Sequence, residues 1–415
     1  MKAEAAYNMP NAFLLEDTID KEALNLAFQD LIKRHEALRT GFIEVDGEPR
    51  QVIHPKIVFT VKQIDLSAEA DAQKRSQALA NKEANTPFDL TKPPLLRATL
   101  IKLGEKQYVF LLTLHHIVGD GWSMNILYHE ILSLYEAYCR KKPNPLKPLR
   151  IQYKDFALWQ NARGFEQEEK YWLSKLAGMP ETLALPYDFP PGEEQSFHGD
   201  TKATKVDKET VTKLQGLAAR KHTTLSNIML AIFKLFLFQL TRQQDICLGV
   251  SIANRNHPDL ENIIGFFVNI LPIRSYLSED MEFEELLDQV IQNTYEAFEH
   301  QDYPFDLLIQ KLNPQRYANR QPVVNVIYGF QNFADVRIDI GDMDFRAKEE
   351  RSDLSNALSF SFKTSKFDLT LFVFQEEDEA LYLTFEYDTT LFLPETIEQY
   401  LSILGRFARM VASQN

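Results

Sequence analysis

The sequence predicts a mixed α/β protein of the α+β kind, built twice in two lobes. Three observations carry that prediction. The chain has 415 residues, more than one ordinary hydrophobic core holds comfortably. Strand-patterned and helix-patterned segments occur in both halves. Between the halves, Gly178 to Gly192 collects Pro180, Pro186, Pro190 and Pro191, a stiff non-helical stretch. The boundary is therefore set there: an N-terminal lobe over 1–177, a connector over 178–194 and a C-terminal lobe over 195–415. Twenty-nine Phe and sixteen Tyr supply the core material for both.

Asp20 precedes Leu24, Phe28 and Leu31, which share one helical face, so a capped amphipathic helix runs to about His35. Residues 42–61 read as short strands around a turn at Asp46-Gly47. Gln73 to Asn85 is polar and helical, and Leu95 to Ile101 is a strand. Tyr108 to Leu114 is apolar on both faces, the mark of a central strand covered on both sides. Gly119-Asp120-Gly121 then breaks the chain, and Ser123 is placed to cap a helix ending near Cys139. The second lobe opens with a strand and two helices reaching Leu240, then a strand over Asp245 to Ser251 and a loop rich in Asn and Gly. A helix over Phe283 to His300, mostly strands from Val323 to Phe385, and a final helix over Pro394 to Ala412 complete the chain.

A formal net charge of -14 argues against a nucleic-acid surface, which needs clustered Lys and Arg. Arg140-Lys141-Lys142 is too short to alter that and reads as a solvated helix end. Two cysteines, Cys139 and Cys247, build neither a disulfide framework nor a zinc site, and a reducing, cytoplasmic setting is expected. The most apolar run, Ile228 to Leu240, carries Lys234 and is short for a membrane span, so it reads as a buried helix and no membrane partner is expected.

The stretch that carries chemistry is His115-His116-Ile117-Val118-Gly119-Asp120-Gly121-Trp122-Ser123. Adjacent residues at a strand end point to opposite faces. Only one of the two histidines can face a given cavity, and the other is expected inside its lobe. Asp120, across a tight turn, is placed to hold the loop by pairing with an arginine. Gly121 admits a ligand close to the backbone at a helix N-terminus, where amides and dipole favour negative charge. A base beside such an amide suits acyl transfer, while a purely structural histidine pair fits the same residues. No metal ligand set is assigned, since adjacent histidines rarely chelate one ion and no His-Glu-x-x-His helix is present. Ser123 lacks the Gly-x-Ser-x-Gly elbow of a serine hydrolase.

His-His-x-x-x-Asp-Gly resembles the signature of nonribosomal peptide synthetase condensation domains; a shorter His-x-x-x-Asp form is shared by the wider acyltransferase superfamily that includes chloramphenicol acetyltransferase. Further motifs follow in that family's order. They are Arg34-His35-Glu36-x-Leu38-Arg39-Thr40-x-Phe42, Tyr153-x-Asp155-Phe156-Ala157-x-Trp159, Ile264-Gly265-Phe266-Phe267-Val268-Asn269-x-Leu271-Pro272-x-Arg274, His300-Gln301-Asp302-Tyr303-Pro304-Phe305-Asp306 and Lys366-Phe367-Asp368-Leu369. Together they cover nearly the whole chain. Two departures stand out. The family opens with a Ser-x-Ala-Gln-x-Arg segment ahead of Tyr7-Asn8-Met9-Pro10, so the resemblance implies roughly one further strand and helix before this start. Asn319-Arg320-Gln321-Pro322-Val323 matches only loosely an expected Arg-Asp-x-Ser motif.

The resemblance implies two chloramphenicol-acetyltransferase-like sandwich lobes in a pseudo-dimeric V, with a channel between them open at both faces. Donor and acceptor peptidyl carrier protein domains present their thioesters on 4'-phosphopantetheine arms, an adenylation domain is a neighbour, and no cofactor is held covalently. His116 is the implied catalytic residue, as general base or as the acceptor that aligns the amine, with the Gly121 amide meeting the thioester oxygen. His115 and Asp120 are implied to be structural, Asp120 pairing with Arg274 or Arg39. Trp122, Ser123 and Asn269 are candidates for the channel wall, with core packing, a helix cap and a turn as their competing roles. Tyr153, Asp155 and Trp159 are read as packing. Gly-Asp-Gly-Trp-Ser resembles domains that take an L-configured donor or an acyl starter. Three relatives of the same superfamily compete with the condensation reading: a stand-alone coenzyme A-dependent acyltransferase, an epimerisation domain and a non-catalytic docking platform.

Overall fold

The computed structural model describes residues 5–180, 182–314, 321–331, 339–340, 343–344, 364–375 and 380–414. Asn319 and Arg320, and part of the strand-rich region expected up to Phe385, lie outside the described residues. The chain divides into two compact units, each mixing sheet and helix as expected.

The first unit holds the described residues up to Arg163 and takes back from the second half of the chain the segment Arg255–Phe267 and the described residues 339–340 and 343–344. Its strands β1 (Asn8–Leu15), β4 (Lys62–Asp65), β5 (Leu96–Lys102) and β6 (Tyr108–His115) form one sheet in the order β1-β6-β5-β4. A separate hairpin joins β2 (Thr40–Val45) to β3 (Glu48–Ile53). Its turn holds Asp46 at φ 55 and Gly47 at φ 79, both left-handed as a two-residue hairpin loop requires. Every residue of β6 is buried. Phe110, Leu112 and Leu114 enter the core built by α1 (Lys21–Arg34) and α3 (Gly121–Cys139), while Val109 and Leu111 enter a second core with Ala80 of α2 (Ala72–Asn85). That is the two-sided burial its apolar run predicts. α1 is capped by Asp20, whose carboxylate accepts from the Glu22 and Ala23 amides at 3.0 Å each. The sequence pattern does not reveal β1: Asn8, Pro10 and Asn11 spoil its alternation, and an edge strand tolerates Pro where an inner one does not.

The second unit holds a six-stranded sheet in the order β7-β14-β13-β10-β8-β9. These strands are β7 (Gly199–Val206), β8 (Asp245–Ile252), β9 (Asn269–Tyr276), β10 (Val326–Gln331), β13 (Leu369–Gln375) and β14 (Leu381–Asp388). A two-stranded ladder that pairs β11 (Asp339–Ile340) with β12 (Met343–Asp344) belongs to the first unit. β10 runs parallel to both its neighbours, and the remaining pairs are antiparallel. The unit's helices include α6 (Lys208–Arg220), α7 (Leu225–Thr241), α8 (Phe283–Glu299), α9 (Phe305–Leu312) and α10 (Pro394–Ser413). α7 is the expected buried helix. Its Lys234 is fully buried, donates to the Ile273 carbonyl at 2.6 Å, and is pushed down to about 7 by burial. Among the described residues no single helix is long and apolar enough to cross a membrane.

The boundary departs from the expected one. The units part at Arg163/Gly164, after α4 (Tyr153–Ala162), not at Gly178. α5 (Glu166–Lys175) and the connector after it are folded into the second unit: Trp172, Leu176, Leu183 and Leu185 are buried in its core. Asn325 exchanges hydrogen bonds with the Leu183 backbone at 3.1 and 3.0 Å, and Asp368 accepts from the Tyr187 hydroxyl at 2.6 Å. Proline content marks the stiffness of a segment, not the core it docks on.

Candidate active site

β6 ends at His115, and a 3-10 turn over His116–Val118 leads to Asp120, the N-cap of α3. The two histidines differ in burial, and only His115 belongs to the strand. His115 is buried, its Nδ1 accepts from the Ile117 amide at 3.1 Å, and its ring meets Phe88 edge-on at 5.8 Å. His116 is half-buried. Its amide donates to the Tyr7 carbonyl at 2.8 Å, and its ring stands perpendicular to Phe266 at 5.2 Å.

Asp120 is fully buried and faces inward. Its Oδ1 accepts from the Ser123 amide and hydroxyl, each at 2.8 Å, and its Oδ2 accepts from the Phe267 amide at 3.0 Å. Its ionic partner is Arg255, at 3.1 Å, and neither of the expected arginines. Arg39 is committed to the His54 carbonyl at 2.7 Å and to Glu36 at 3.3 Å. Arg274 lies in the second unit, bidentate to Asp245 at 2.9 and 2.7 Å and bonded to the Lys175 and Ala177 carbonyls. Arg255 also donates to the carbonyls of Leu260 and Ile263, at 2.5 and 2.7 Å, and its guanidinium lies 4.2 Å from the Phe267 ring. Burial pulls its pKa below the ordinary arginine value, with Asp120 opposing. This arginine is hidden from sequence reasoning because it lies 135 residues away, in an Asn-flanked loop with no local pattern.

Two further expectations are corrected, and a third resolves between its alternatives. Ser123 does not cap α3. Asp120 does, and Ser123 is a buried third residue whose hydroxyl bridges Asp120 and the Gly265 backbone. Trp122 is not core: it is 37% exposed, and its indole N–H donates to the Glu261 carbonyl at 2.9 Å. Asn269 takes the turn role of its two readings. It donates to the Gln301 and Tyr303 carbonyls at 2.9 and 2.8 Å and accepts from the Phe305 amide at 3.0 Å, fixing the turn into α9.

A second network supports the first. His35 is fully buried, with Nε2 2.7 Å from the Glu130 carboxylate of α3 and Nδ1 accepting from the Ile264 amide at 3.4 Å. Accepting at Nδ1 sets the proton on Nε2. Burial lowers this imidazole's pKa against the opposing effect of Glu130. Tyr153 packs its ring on Gly265 and donates its hydroxyl to the Phe266 carbonyl at 2.8 Å. Burial pushes that phenol up to about 12, so it remains a donor. Asp155 accepts from the Gln152 amide at 2.8 Å, closing the capping box of α4, and Trp159 is half exposed on the same helix. Among the described residues no cluster of His, Cys, Asp or Glu is arranged to hold a metal ion.

The bonds made by Asp120, Ser123, Arg255 and His35 converge on α3 and on the segment 260–267. Next to this network stand His116, which is half-buried, and the start of α3 at Gly121, which is exposed. The family described as Condensation domain matches residues 1–415. The chain belongs to that family. It is 37% identical over 415 residues to a linear gramicidin synthase protein of Brevibacillus parabrevis, covering 99% of this chain and 8% of that protein. It is 36% identical over 412 residues to surfactin synthase subunit 1 of Bacillus subtilis (strain 168), covering 99% of this chain and 11% of that one. The condensation domain thus spans about a tenth of the length of these two relatives. Its fold matches the crystal structure of the X-domain from teicoplanin biosynthesis with a TM-score of 0.85 at 22% identity, covering 99% and 94% of the two chains. It matches the first condensation domain of the calcium-dependent antibiotic synthetase with a TM-score of 0.78 at 19% identity, covering 99% and 92%.

Proposed function

We propose that this condensation domain joins a carrier-bound acyl or peptidyl thioester to the α-amine of a carrier-bound aminoacyl thioester, with His116 as the residue that handles the amine. The observation that carries the reading is the difference in burial after β6: His115 and Asp120 are buried and hydrogen-bonded, while His116 is half-buried beside the exposed N-terminus of α3. Both substrates arrive on 4'-phosphopantetheine arms of donor and acceptor carrier domains, within a cytoplasmic synthetase that also holds an adenylation domain.

The acceptor nitrogen attacks the thioester carbonyl and the C–N bond forms. The nitrogen's proton passes to the His116 ring, the C–S bond breaks, and the departing sulfur takes up a proton from that ring. A free α-amine has a pKa of about 7.7–8.0, so an appreciable fraction is neutral near pH 7. His116 then serves chiefly by aligning the amine and by receiving the proton of the tetrahedral adduct; alignment alone can supply up to about 7–11 kcal/mol. The Gly121 amide, first in α3, donates to the oxygen that becomes anionic. Arg255 neutralises the Asp120 carboxylate at this helix N-terminus, so the field of the helix end is left to favour that oxyanion.

The test uses the purified chain with a matched pair of loaded carrier domains and mass-spectrometric detection of the amide. Wild type forms product. His116→Ala loses at least about 10²-fold in rate with an unchanged melting temperature, while His115→Ala lowers the melting temperature. Inactive His115→Ala beside active His116→Ala, at equal soluble yield, reverses the assignment. Turnover with a coenzyme A thioester in place of carriers marks a stand-alone acyltransferase. Isomerisation of a single loaded amino acid marks an epimerase, and no product with any matched pair marks a docking platform.

A further inference from the structure

Phe266 is a large apolar side chain left 42% exposed, and its ring stands perpendicular to His116 with centroids 5.2 Å apart. Its backbone is held on three sides. The Gly265 amide donates to Ser123 Oγ at 3.1 Å, the Phe266 carbonyl accepts from the Tyr153 hydroxyl at 2.8 Å, and the Phe267 amide donates to Asp120 at 3.0 Å. Gly265 and Phe267 face the interior: a Cβ on Gly265 would lie 2.2 Å from the Tyr153 ring, and Phe267 is buried. Phe266, between them, is projected the other way. The core does not use this side chain, yet three backbone contacts fix where it stands.

The terminal torsion of a histidine is broad and nearly two-fold, so a ring that must present a chosen nitrogen needs something to fix its plane. A perpendicular aromatic partner within about 4.5–7 Å does so without consuming a ring nitrogen. We infer that Phe266 is a positioning residue for His116, setting the plane in which its imidazole meets the incoming amine; the inference rests on the function proposed above.

The test compares Phe266→Leu, which removes the aromatic face, with Phe266→Tyr, which keeps it. In the full chain with isotope-labelled histidine, the His116 ring resonances are assigned by their loss in His116→Ala. Phe266→Leu is expected to shift and broaden them, and Phe266→Tyr to leave them near their wild-type positions. In the two-carrier assay Phe266→Leu is expected to lower kcat about tenfold with KM for both carriers and the melting temperature unchanged, and Phe266→Tyr to restore it. Unaltered His116 resonances in Phe266→Leu overturn the inference whatever the activity. So does an unchanged kcat, or a rise in KM alone. A wild-type chain that makes no amide refutes the proposed function instead, and the resonances still decide whether Phe266 orients the ring.

Discussion

Asp120–Arg255 in the first unit and Asp245–Arg274 in the second are the same pair of residue types built in two ways. Asp245 and Arg274 sit on adjacent antiparallel strands, 29 residues apart, in a bidentate pair whose carboxylate side chain keeps 23% of its exposure. Asp245 raises the Arg274 pKa. Asp120 and Arg255 are 135 residues apart, 0% and 2% exposed, and burial lowers the Arg255 pKa. The first of these, on the sheet of the second unit, is a wet clamp between neighbouring strands. The other is a dry joint that ties a returning segment of the distant half to the first turn of α3. A charge pair that has lost its water depends far more on its partner than one that has kept it.

Removing one partner from each pair is the sharpest way to break this contrast. Asp120→Ala leaves a buried guanidinium uncompensated and is expected to cost about 3–5 kcal/mol. Arg255→Ala is expected to cost about as much. Asp245→Ala leaves Arg274 its two carbonyl partners and removes a carboxylate that is 23% exposed, and is expected to cost about 1 kcal/mol. Denaturant melts of the three variants measure this directly. Equal losses at Asp120 and Asp245 would erase the distinction between dry and wet pairs.

A steric test of the same joint is expected to have a smaller effect. A methyl at Gly265 would overlap the Tyr153 ring and approach Phe267 to 2.9 Å, and both belong to the small aromatic core under the returning segment. Gly265→Ala is expected to cost about 1–3 kcal/mol. Partial recovery in Gly265→Ala with Tyr153→Leu would locate the strain at that ring. A Gly265→Ala variant of wild-type stability would show that the segment gives way more easily than the buried pair implies.

The comparison also explains what is legible in the sequence. Elements whose signals are local can be read there: the Asp20 cap, the Asp46-Gly47 turn and the doubly buried β6. The partner of Asp120 cannot, because only the crossing of 255–267 into the first unit selects Arg255 over Arg39 and Arg274. The channel and turn readings of Asn269 stay open in the sequence for a related reason. An Asn beside a glycine-containing motif looks available to a ligand until the turn at 301–305 is folded against it. Glu130 is invisible as a functional neighbour, since a single Glu on a helix reads as solvated until His35 and Arg34 are found on it.

His35 offers the mildest perturbation of the joint, and one that needs no large structural change. Its imidazole accepts from the Ile264 amide through Nδ1; protonation would place a second donor there. The charged groups facing it are Glu130, which favours the imidazolium, and Arg34, which opposes it. Burial outweighs Glu130 and holds the folded pKa below 6.5. Above about pH 6.5 the ring is neutral in folded and unfolded chains alike, and its contribution is fully present. As pH falls below that value the unfolded chain takes up a proton that the folded one still refuses, so stability is lost until the folded ring protonates too. One such group changes the unfolding free energy by at most about 1.4 kcal/mol per pH unit. The Ile264 amide should therefore lose hydrogen-exchange protection, relative to amides of β8 in the second unit, as pH is lowered from about 7.5 to about 5.5. In His35→Gln that difference should flatten, since glutamine does not titrate. Parallel loss at both places, or an unchanged profile in the variant, would show that His35 does not govern how tightly the returning segment is held.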